Sequence, residues 1–354
     1  MLDILKKQLN KKQWEQKIDC YSRYFEYIEQ KATSIFPAIS VIVISWRLHR
    51  DTIKNFEKLE KQRKQNFELI FVDNGGEKDE FASLKPYIDK YIKLNTNTGA
   101  CVARNIGAVF AEAPLLLFLE DDGIADENLL ESYLLIKKIY DVVVVRGSYL
   151  PKTTNLINHR QHHYYYGNYF FPRYSDLEGN TLYEADIFYQ VGGWDDEIYF
   201  GSEGPDLALR ILDIEPNLAR QIYSPISIIH HDYVRDEEHF NNKIKAQKKS
   251  RERLQKKHYK FEERLLEWEA LFMNEKSIPK KQNINENTIL ELQKIEQKIM
   301  KRNQSSINFL LSGAYFLNDS NLVNKLLEKV NGRGIALFGA GNYGQRVLQR
   351  LQHK

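Results

Sequence analysis

The most informative stretch of the chain reads Phe118-Leu119-Glu120-Asp121-Asp122-Gly123. An apolar run ends there in three carboxylates, and burying three anions side by side is costly unless a cation compensates their charge. If the run is a sheet strand, Mg²⁺ or Mn²⁺ shared with a diphosphate would be the matching cation at its carboxyl end. A solvated acidic turn that caps the next helix would fit the same residues, so the surrounding sequence has to distinguish the two.

Short β-branched strands alternate with helices on both sides of this stretch. The pattern predicts strands at residues 39–44, 67–72, 91–94, 115–119 and 142–146, and helices at residues 51–64, 100–111 and 127–140. Because parallel strands need crossovers that cover the sheet, the alternation predicts an α/β fold with a mostly parallel sheet and helices on both faces.

Additions are predicted on either side of this domain, which we place at residues 36–235. Residues 1–35 have apolar positions at the spacing of amphipathic helices, and residues 236–330 predict a helical, partly basic C-terminal region. Residues 331–354 contain a strand leading into Gly339-Ala340-Gly341-Asn342-Tyr343-Gly344. We interpret this G-x-G-x-x-G as the start of a truncated Rossmann-like unit, because the second strand and ribose-binding acid of a dinucleotide-dependent oxidoreductase do not follow.

Composition excludes several classes of protein. Lys and Arg number 51 against 48 Asp and Glu, a net charge of +3, which argues against a nucleic-acid partner. Two cysteines, Cys20 and Cys101, cannot form a disulfide framework. The longest apolar runs, residues 40–45 and 113–119, are far shorter than the roughly 20 residues of a membrane span. Without a recognisable signal peptide, we expect a cytoplasmic protein.

Further polar segments follow strands or open helices. They are Asp73-Asn74-Gly75-Gly76, Asn97-Thr98-Gly99 before a helix containing Arg104, Gly192-Gly193-Trp194-Asp195-Asp196, Glu203-Gly204-Pro205-Asp206 and His230-His231-Asp232. Because parallel strands end at one edge of a sheet, several of these segments should converge on one crevice. Arg104 lies one turn inside its helix, where it would meet an anion.

The order of these motifs resembles the family 2 glycosyltransferases of GT-A fold, which include capsule, teichoic-acid and chondroitin-type polysaccharide enzymes. The resemblance covers residues 36–233 and rests on V-D-x-G, N-x-G-x-x-x-A-R-N-x-G, D-D after a strand, G-G-W-D and E-x-x-D-L-x-x-R. It implies inverting transfer of a sugar from a nucleotide-diphosphate donor, with UDP favoured, to a saccharide, polymer or lipid-linked acceptor in surface polysaccharide synthesis.

The resemblance also implies roles for individual residues. Donor binding falls to Ser45, Asp73, Asn74, Gly99, Arg104, Asp121 and Trp194. A Mn²⁺ or Mg²⁺ ion would be held by Asp122 and by one of His230 and His231, while the loop around Glu203 would face the acceptor.

One departure from the family pattern concerns the catalytic base. Gly204 stands where these enzymes usually have the aspartate of a Glu-Asp pair, and glycine cannot accept a proton. We therefore predict Glu203 as the base, with Asp206 as the second candidate. Asp206 could instead serve the amino terminus of its helix, and Asp195 and Asp196 could hold their loop together. An inactive nucleotide-sugar-binding subunit is the alternative function.

Other segments allow more than one interpretation. Trp194 could stack on a sugar or belong to the core. His159, His162 and His163 could bind zinc, contribute to an acceptor loop or simply pack. The basic segment 243–260 predicts either a solvated helix face or contact with an anionic acceptor or the inner face of a membrane.

Overall fold

A computed structural model describes residues 16–17, 19–31, 36–154, 162–198, 200–234, 236–270 and 275–312. The predicted Rossmann-like unit at residues 331–354 and His159 lie outside these residues. Among the described helices, none is both long and apolar enough to cross a membrane.

The centre of the fold is a mixed sheet. Its described strands are β1 (Phe25–Gln30), β2 (Ile39–Ser45), β3 (Phe67–Asp73), β4 (Lys90–Leu94), β5 (Leu115–Leu119), β6 (Ile124–Ala125), β7 (Val144–Leu150), β8 (Phe171–Pro172), β9 (Asn180–Glu184) and β10 (Gln221–His230). Their order is β1-β4-β3-β2-β5-β9-β7-β10-β6, with β8 also pairing with β10. The β4-β3-β2-β5 half is parallel, and so is the pair β7 and β10.

Helices cover the sheet and extend the chain beyond it. They are α1 (Arg50–Glu60), α2 (Ala100–Val109), α3 (Leu129–Ile139), α4 (Ala185–Gln190), α5 (Glu203–Ile214), α6 (Glu237–Lys257), α7 (Phe261–Ala270) and α8 (Glu286–Ser312).

Alternate residues of each central strand enter different hydrophobic cores. Val41 and Val43 of β2 lie in one core with Phe56 of α1, whereas Ile42 lies in the other with Ile106 of α2. Since both faces of the strand are buried, its sequence is continuously apolar rather than alternating. The predicted α/β fold, with a largely parallel sheet and helices on both faces, is confirmed.

The helical prediction for residues 1–35 is wrong in its described C-terminal part. Residues 25–30 form the edge strand β1, which pairs antiparallel with β4. Phe25 packs edge-on against Phe110, and Tyr27 stacks on Tyr91. These aromatic contacts across the sheet edge stabilise a strand where the apolar spacing alone suggested a helix.

The C-terminal helices pack onto the sheet domain. Ile299 and Ile307 of α8 are buried in the same core as α3. Arg302 and Asn303 contact the carboxylate of Asp126, which is buried just before α3. The apolar face of α8 therefore completes the main core rather than forming a detached tail.

Gly75 lies in the turn directly after β3. Its φ is +79°, and a Cβ atom there would lie 2.4 Å from the backbone carbonyl carbon of Thr96. Gly192 offers a matched control, because its φ is +80° and no heavy atom lies within 4 Å of a Cβ at that position.

Gly75→Ala should therefore cost more free energy of unfolding than Gly192→Ala. A left-handed non-glycine residue costs roughly 1–2 kcal/mol in both variants, and the backbone clash at Gly75 adds about 1–3 kcal/mol. Urea denaturation measures both losses. Equal losses would show that the turn has room for a side chain.

Candidate active site at the sheet edge

A cavity of about 880 Å³ opens where β2, β3 and β5 end. The predicted site residues that line it are Ser45, Asn74, Gly99, Arg104, Asp121, Asp122, Glu203 and His231. Asp73, Trp194, Asp206 and His230 do not belong to its lining. The sheet thus brings together most, though not all, of the side chains that the sequence motifs suggested.

Asp121, which follows β5, is held by a hydrogen bond from Ser45 at the end of β2. The Ser45 hydroxyl donates to Asp121 Oδ2 over 2.5 Å, and His49 Nε2 lies 3.8 Å from the same oxygen. Burial and the neighbouring charge of Asp122 raise the pKa of Asp121 to about 7. The acidic triplet is therefore not a fully solvated turn, because one of its carboxylates resists ionisation.

Asp122 and His231 form the pair that best fits a metal ion. Asp122 Oδ1 lies 3.1 Å from His231 Nε2, and the Tyr164 hydroxyl lies 2.8 Å from the other ring nitrogen, Nδ1. Burial disfavours the Asp122 anion, but the hydrogen bond and charge of His231 outweigh it and hold the pKa of Asp122 well below its usual range. An ionised carboxylate beside an imidazole oriented through its second nitrogen is a suitable donor set.

Two protein ligands leave room for the substrate to complete a coordination sphere. Within the described residues, no three His, Cys, Asp or Glu side chains are grouped closely enough to hold a metal by themselves. This fits an ion shared with a diphosphate, since Mg²⁺ is commonly bound through one or two carboxylates plus phosphate oxygens.

His230 lies in a different environment from its neighbour. It is the last residue of β10, and Asp126, Arg302 and Lys58 are the charged groups that act on it. His231, in contrast, lies just beyond the end of β10 and contacts Asp122. Of the two predicted ligands, the structure brings only His231 to Asp122.

Arg104 is the buried cation of the cavity. Its guanidinium lies 4.0 Å from Glu120 and packs over the ring of Trp194, 5.5 Å from the centroid. Burial opposes its charge, yet Glu120 and Glu203 raise the pKa of Arg104 above its usual range. Arg104 therefore stays charged and faces the acidic side of the cavity.

The two polar residues that end β3 hold the loop structure together. Asp73 is buried and accepts hydrogen bonds from Tyr91, Lys93 and the Gly76 N–H at 2.5, 2.8 and 2.8 Å. The Asn74 side chain bridges to the loop before α2, accepting from the Thr98 N–H at 2.9 Å. Asp73 therefore fixes the turn and lies outside the cavity lining, whereas Asn74 lines the cavity.

Trp194 belongs to the core. It is 1% exposed and packs edge-on against Phe118 and Tyr183. So enclosed a side chain fits the packing alternative for Trp194 better than stacking on a sugar.

The Asp206 carboxylate is occupied by a buried ion network. Arg210 and Lys257 lie 2.6 and 2.7 Å from it, and His258 Nε2 lies 2.8 Å away. Burial opposes ionisation, but His258 and the two cations hold the pKa of Asp206 well below its usual range. Such a carboxylate is a weak proton acceptor, and it secures α5 to α6 rather than facing the cavity. Asp195 is likewise paired, with Arg253 and Lys257.

Glu203 shares the cavity with a carboxylate that the sequence motifs did not identify, Glu178. The Gly204 N–H donates to Glu178 Oε1 over 2.8 Å. Burial and the charge of Glu203 raise the pKa of Glu178 to about 8, and burial also raises the pKa of Glu203. The signal in the sequence was Asp176-Leu177-Glu178-Gly179, an acidic turn directly before β9.

The basic segment forms one wall of the cavity. Lys243 of α6 donates to the Tyr233 carbonyl oxygen over 2.8 Å and lies 4.1 Å from the ring centroid of Tyr233. Further along this wall lie Lys245, Lys248 and Arg251. A cationic helix thus faces the acidic sheet edge across the space where a ligand would bind.

Comparison with known proteins agrees with this geometry. Residues 40–192 match the family model described as glycosyl transferase family 2. A search of curated protein sequences gives no match.

Two solved structures are among those similar to this chain. S. aureus TarS is 16% identical with a TM-score of 0.38, and the alignment covers 53% of this chain but 37% of the TarS chain. The mannosyltransferase PcManGT from Pyrobaculum calidifontis, solved with GDP-Man and Mn²⁺, is 11% identical with a TM-score of 0.45, over 99% of this chain and 98% of that one. The chain therefore contains a region, residues 40–192, that matches family 2 glycosyltransferases, and this region lies within the mixed α/β sheet domain.

Proposed function

We propose that this glycosyltransferase transfers a sugar from a nucleotide-diphosphate donor to an anionic saccharide, polymer or lipid-linked acceptor with inversion at the anomeric carbon. The observation that carries the proposal is the cavity in which Asp121, Asp122 and His231 face the cationic wall of α6. A diphosphate needs an ion or cationic groups to balance its charge. Asp122 and His231 are the residues that would hold an ion, and the lysines of α6 are the cationic groups. UDP is the nucleotide we expect, in the synthesis of a surface polysaccharide.

The donor fits between the strand ends and α2. Ser45, Asn74 and Gly99 form the wall on which the nucleoside would lie, and Asp121 is the carboxylate available to ribose or sugar hydroxyls. The amino terminus of α2, which begins at Ala100, presents unpaired backbone N–H groups beside this wall.

Asp122 and His231 would hold Mn²⁺ or Mg²⁺ against the diphosphate. A divalent ion there supplies positive charge that stabilises the departing diphosphate. Asp122 stays ionised across neutral pH because His231 lowers its pKa, so it is ready to act as a ligand without losing a proton.

Inversion requires a group that takes the proton of the acceptor hydroxyl on the face opposite the diphosphate. Glu178 and Glu203 are the candidates, since Glu120 lies beside Arg104 and Asp176 is paired with Arg146. Asp206 is held as an anion by its ion network outside the cavity lining. The predicted base Glu203 therefore belongs to a pair, and one member of that pair accepts the proton.

The cationic wall of α6 suits an acceptor with negative charge. Lys245 and Lys248 are exposed on the cavity side, whereas Lys249 and Lys256 of the same helix are exposed away from it. This placement favours the acceptor interpretation of the basic segment over a uniformly solvated face.

Donor binding should depend on the metal pair. With Mn²⁺ and a nucleotide sugar at about 100 times its dissociation constant, the free energy of unfolding should rise by about 2.7 kcal/mol. EDTA and Asp122→Ala should each abolish the rise, whereas Asp213→Ala, which changes an exposed aspartate of α5, should preserve it. A calorimetric screen of nucleotide sugars measures this. An undiminished rise in EDTA would contradict the metal site.

Charge reversal on the cavity side of α6 should weaken polyanion binding more than charge reversal on its other side. Lys245→Glu combined with Lys248→Glu should weaken binding of dextran sulfate, a model polyanion, by roughly tenfold, because two cation contacts of 0.2–1 kcal/mol each are lost and become repulsive. Lys249→Glu with Lys256→Glu changes the net charge equally but should have a smaller effect.

Fluorescence anisotropy at low salt measures the polyanion affinity of both double variants. The difference between them should shrink near 1 M salt, where the screening length is about 3 Å. Identical losses in the two double variants would favour a diffuse charge effect over a site beside the cavity.

A further inference from the structure

Gly204 leaves a space that the Glu178 carboxylate fills. A Cβ atom at position 204 would lie 2.6 Å from the Ser175 carbonyl oxygen and 3.0 Å from Glu178 Oε1. The glycine N–H instead donates to that same Oε1 over 2.8 Å. Position 204 therefore carries no carboxylate of its own but fixes one supplied by the loop before β9.

Glu178 and Glu203 differ in access to the cavity. Glu203 is 5% exposed, and its Oε2 is enclosed with no hydrogen-bond partner. Glu178 is only half-buried, and its Oε1 is held by the backbone of α5. An enclosed oxygen cannot reach an acceptor without rearrangement, whereas a half-buried carboxylate anchored through one oxygen can.

We propose that Glu178 is the catalytic base of this glycosyltransferase and that Glu203 is a positioning residue that acts through it, an inference that rests on the glycosyl transfer proposed above. Gly204 connects the two roles, because its N–H directs Glu178 while its lack of a side chain makes room for it. The base is thus delivered by the 173–179 loop rather than by α5.

The charge of Glu203 changes the pKa of Glu178. Burial and the Glu203 charge raise the pKa of Glu178 to about 8, and Arg104 opposes them. Lys243 of α6 also acts on Glu178 as a cation. The neutral titratable groups that interact with it are Cys101, Tyr149, Tyr183 and Tyr233. The Glu120 carboxylate packs against Gly179, the residue next to Glu178.

The raised pKa of Glu178 predicts the direction in which turnover changes with pH. Glu178 must be ionised to accept a proton, so turnover should rise with pH through about 8. Removing the Glu203 charge removes repulsion, which lowers the pKa of Glu178 and moves the acid limb of the profile to lower pH.

The transfer step balances with these residues. The O–H bond of the acceptor breaks, and its proton passes to Glu178. The acceptor oxygen forms a bond to the anomeric carbon as the bond from that carbon to the diphosphate oxygen breaks. The electron pair of the broken bond leaves with the nucleoside diphosphate, and nothing is oxidised or reduced.

The test compares Glu178→Gln, Glu178→Asp and Glu203→Gln, with Glu57→Gln on the exposed face of α1 as control. The assay is release of nucleoside diphosphate from the best-binding nucleotide sugar, with Mn²⁺ and water as acceptor, from pH 6 to 9. Glu178→Gln should lower kcat by at least about 10²-fold at every pH. Glu178→Asp keeps a carboxylate and should recover part of this loss.

Glu203→Gln should keep kcat at high pH within a few-fold of the unchanged protein while its acid limb moves to lower pH. Donor affinity, measured by calorimetry, should be unchanged in all variants and shows that each one is folded. Near-normal turnover in Glu178→Gln, or a loss in Glu203→Gln at every pH that matches it, would overturn the assignment. Failure of the unchanged protein to bind or cleave any nucleotide sugar would instead reject the proposed function.

Discussion

The gathering of carboxylates in one low-dielectric cavity is the constraint on which the site depends. They are Glu120, Asp121, Asp122, Asp176, Glu178 and Glu203, of which Asp176 is paired with Arg146. Left uncompensated, so many anions could not all be ionised. The protein distributes the charge instead: Asp122 is stabilised as an anion by His231, whereas the pKa values of Asp121 and Glu178 are raised to about 7 and about 8. This division provides one carboxylate suited to a cation and another suited to a proton.

The fold supports this distribution of charge because neighbouring side chains and backbone groups hold the basic residues of the cavity in place. Arg104 extends from α2 and is supported by the buried ring of Trp194, so the tryptophan contributes to the site without touching substrate. His231 is oriented by Tyr164. Lys243 is held by the Tyr233 carbonyl. Arg104, His231 and Lys243 are thus each held in place by packing or hydrogen bonding before any ligand arrives, which reduces the reorganisation needed during reaction.

Local sequence patterns predicted the strand ends and therefore most of the cavity. Ser45, Asn74, Asp121 and Asp122 could be placed because strand period and turn residues are local signals. Contacts between distant segments could not be read in this way. The ion network that occupies Asp206 depends on His258, and nothing near residue 206 indicates that partner.

The same limit explains why the sequence did not select one of the two histidines as a metal ligand and did not identify Glu178. The sequence places His230 and His231 side by side, but it does not say which of them contacts Asp122. No sequence motif marks Glu178, because its proposed role depends on Gly204, a residue in another element whose missing side chain gives it room. The sequence shows that Gly204 departs from the family pattern. Only the structure shows that Glu178 supplies a carboxylate at the same place.

The most direct measurement of the central claim is the stereochemistry of the first product. Proton NMR can follow hydrolysis of an α-linked nucleotide sugar by the protein with Mn²⁺, before the released sugar mutarotates. A base and a metal-bound diphosphate on opposite faces of the sugar predict that the β-anomer appears first. Initial release of the α-anomer would contradict a single displacement assisted by the Glu178–Glu203 pair.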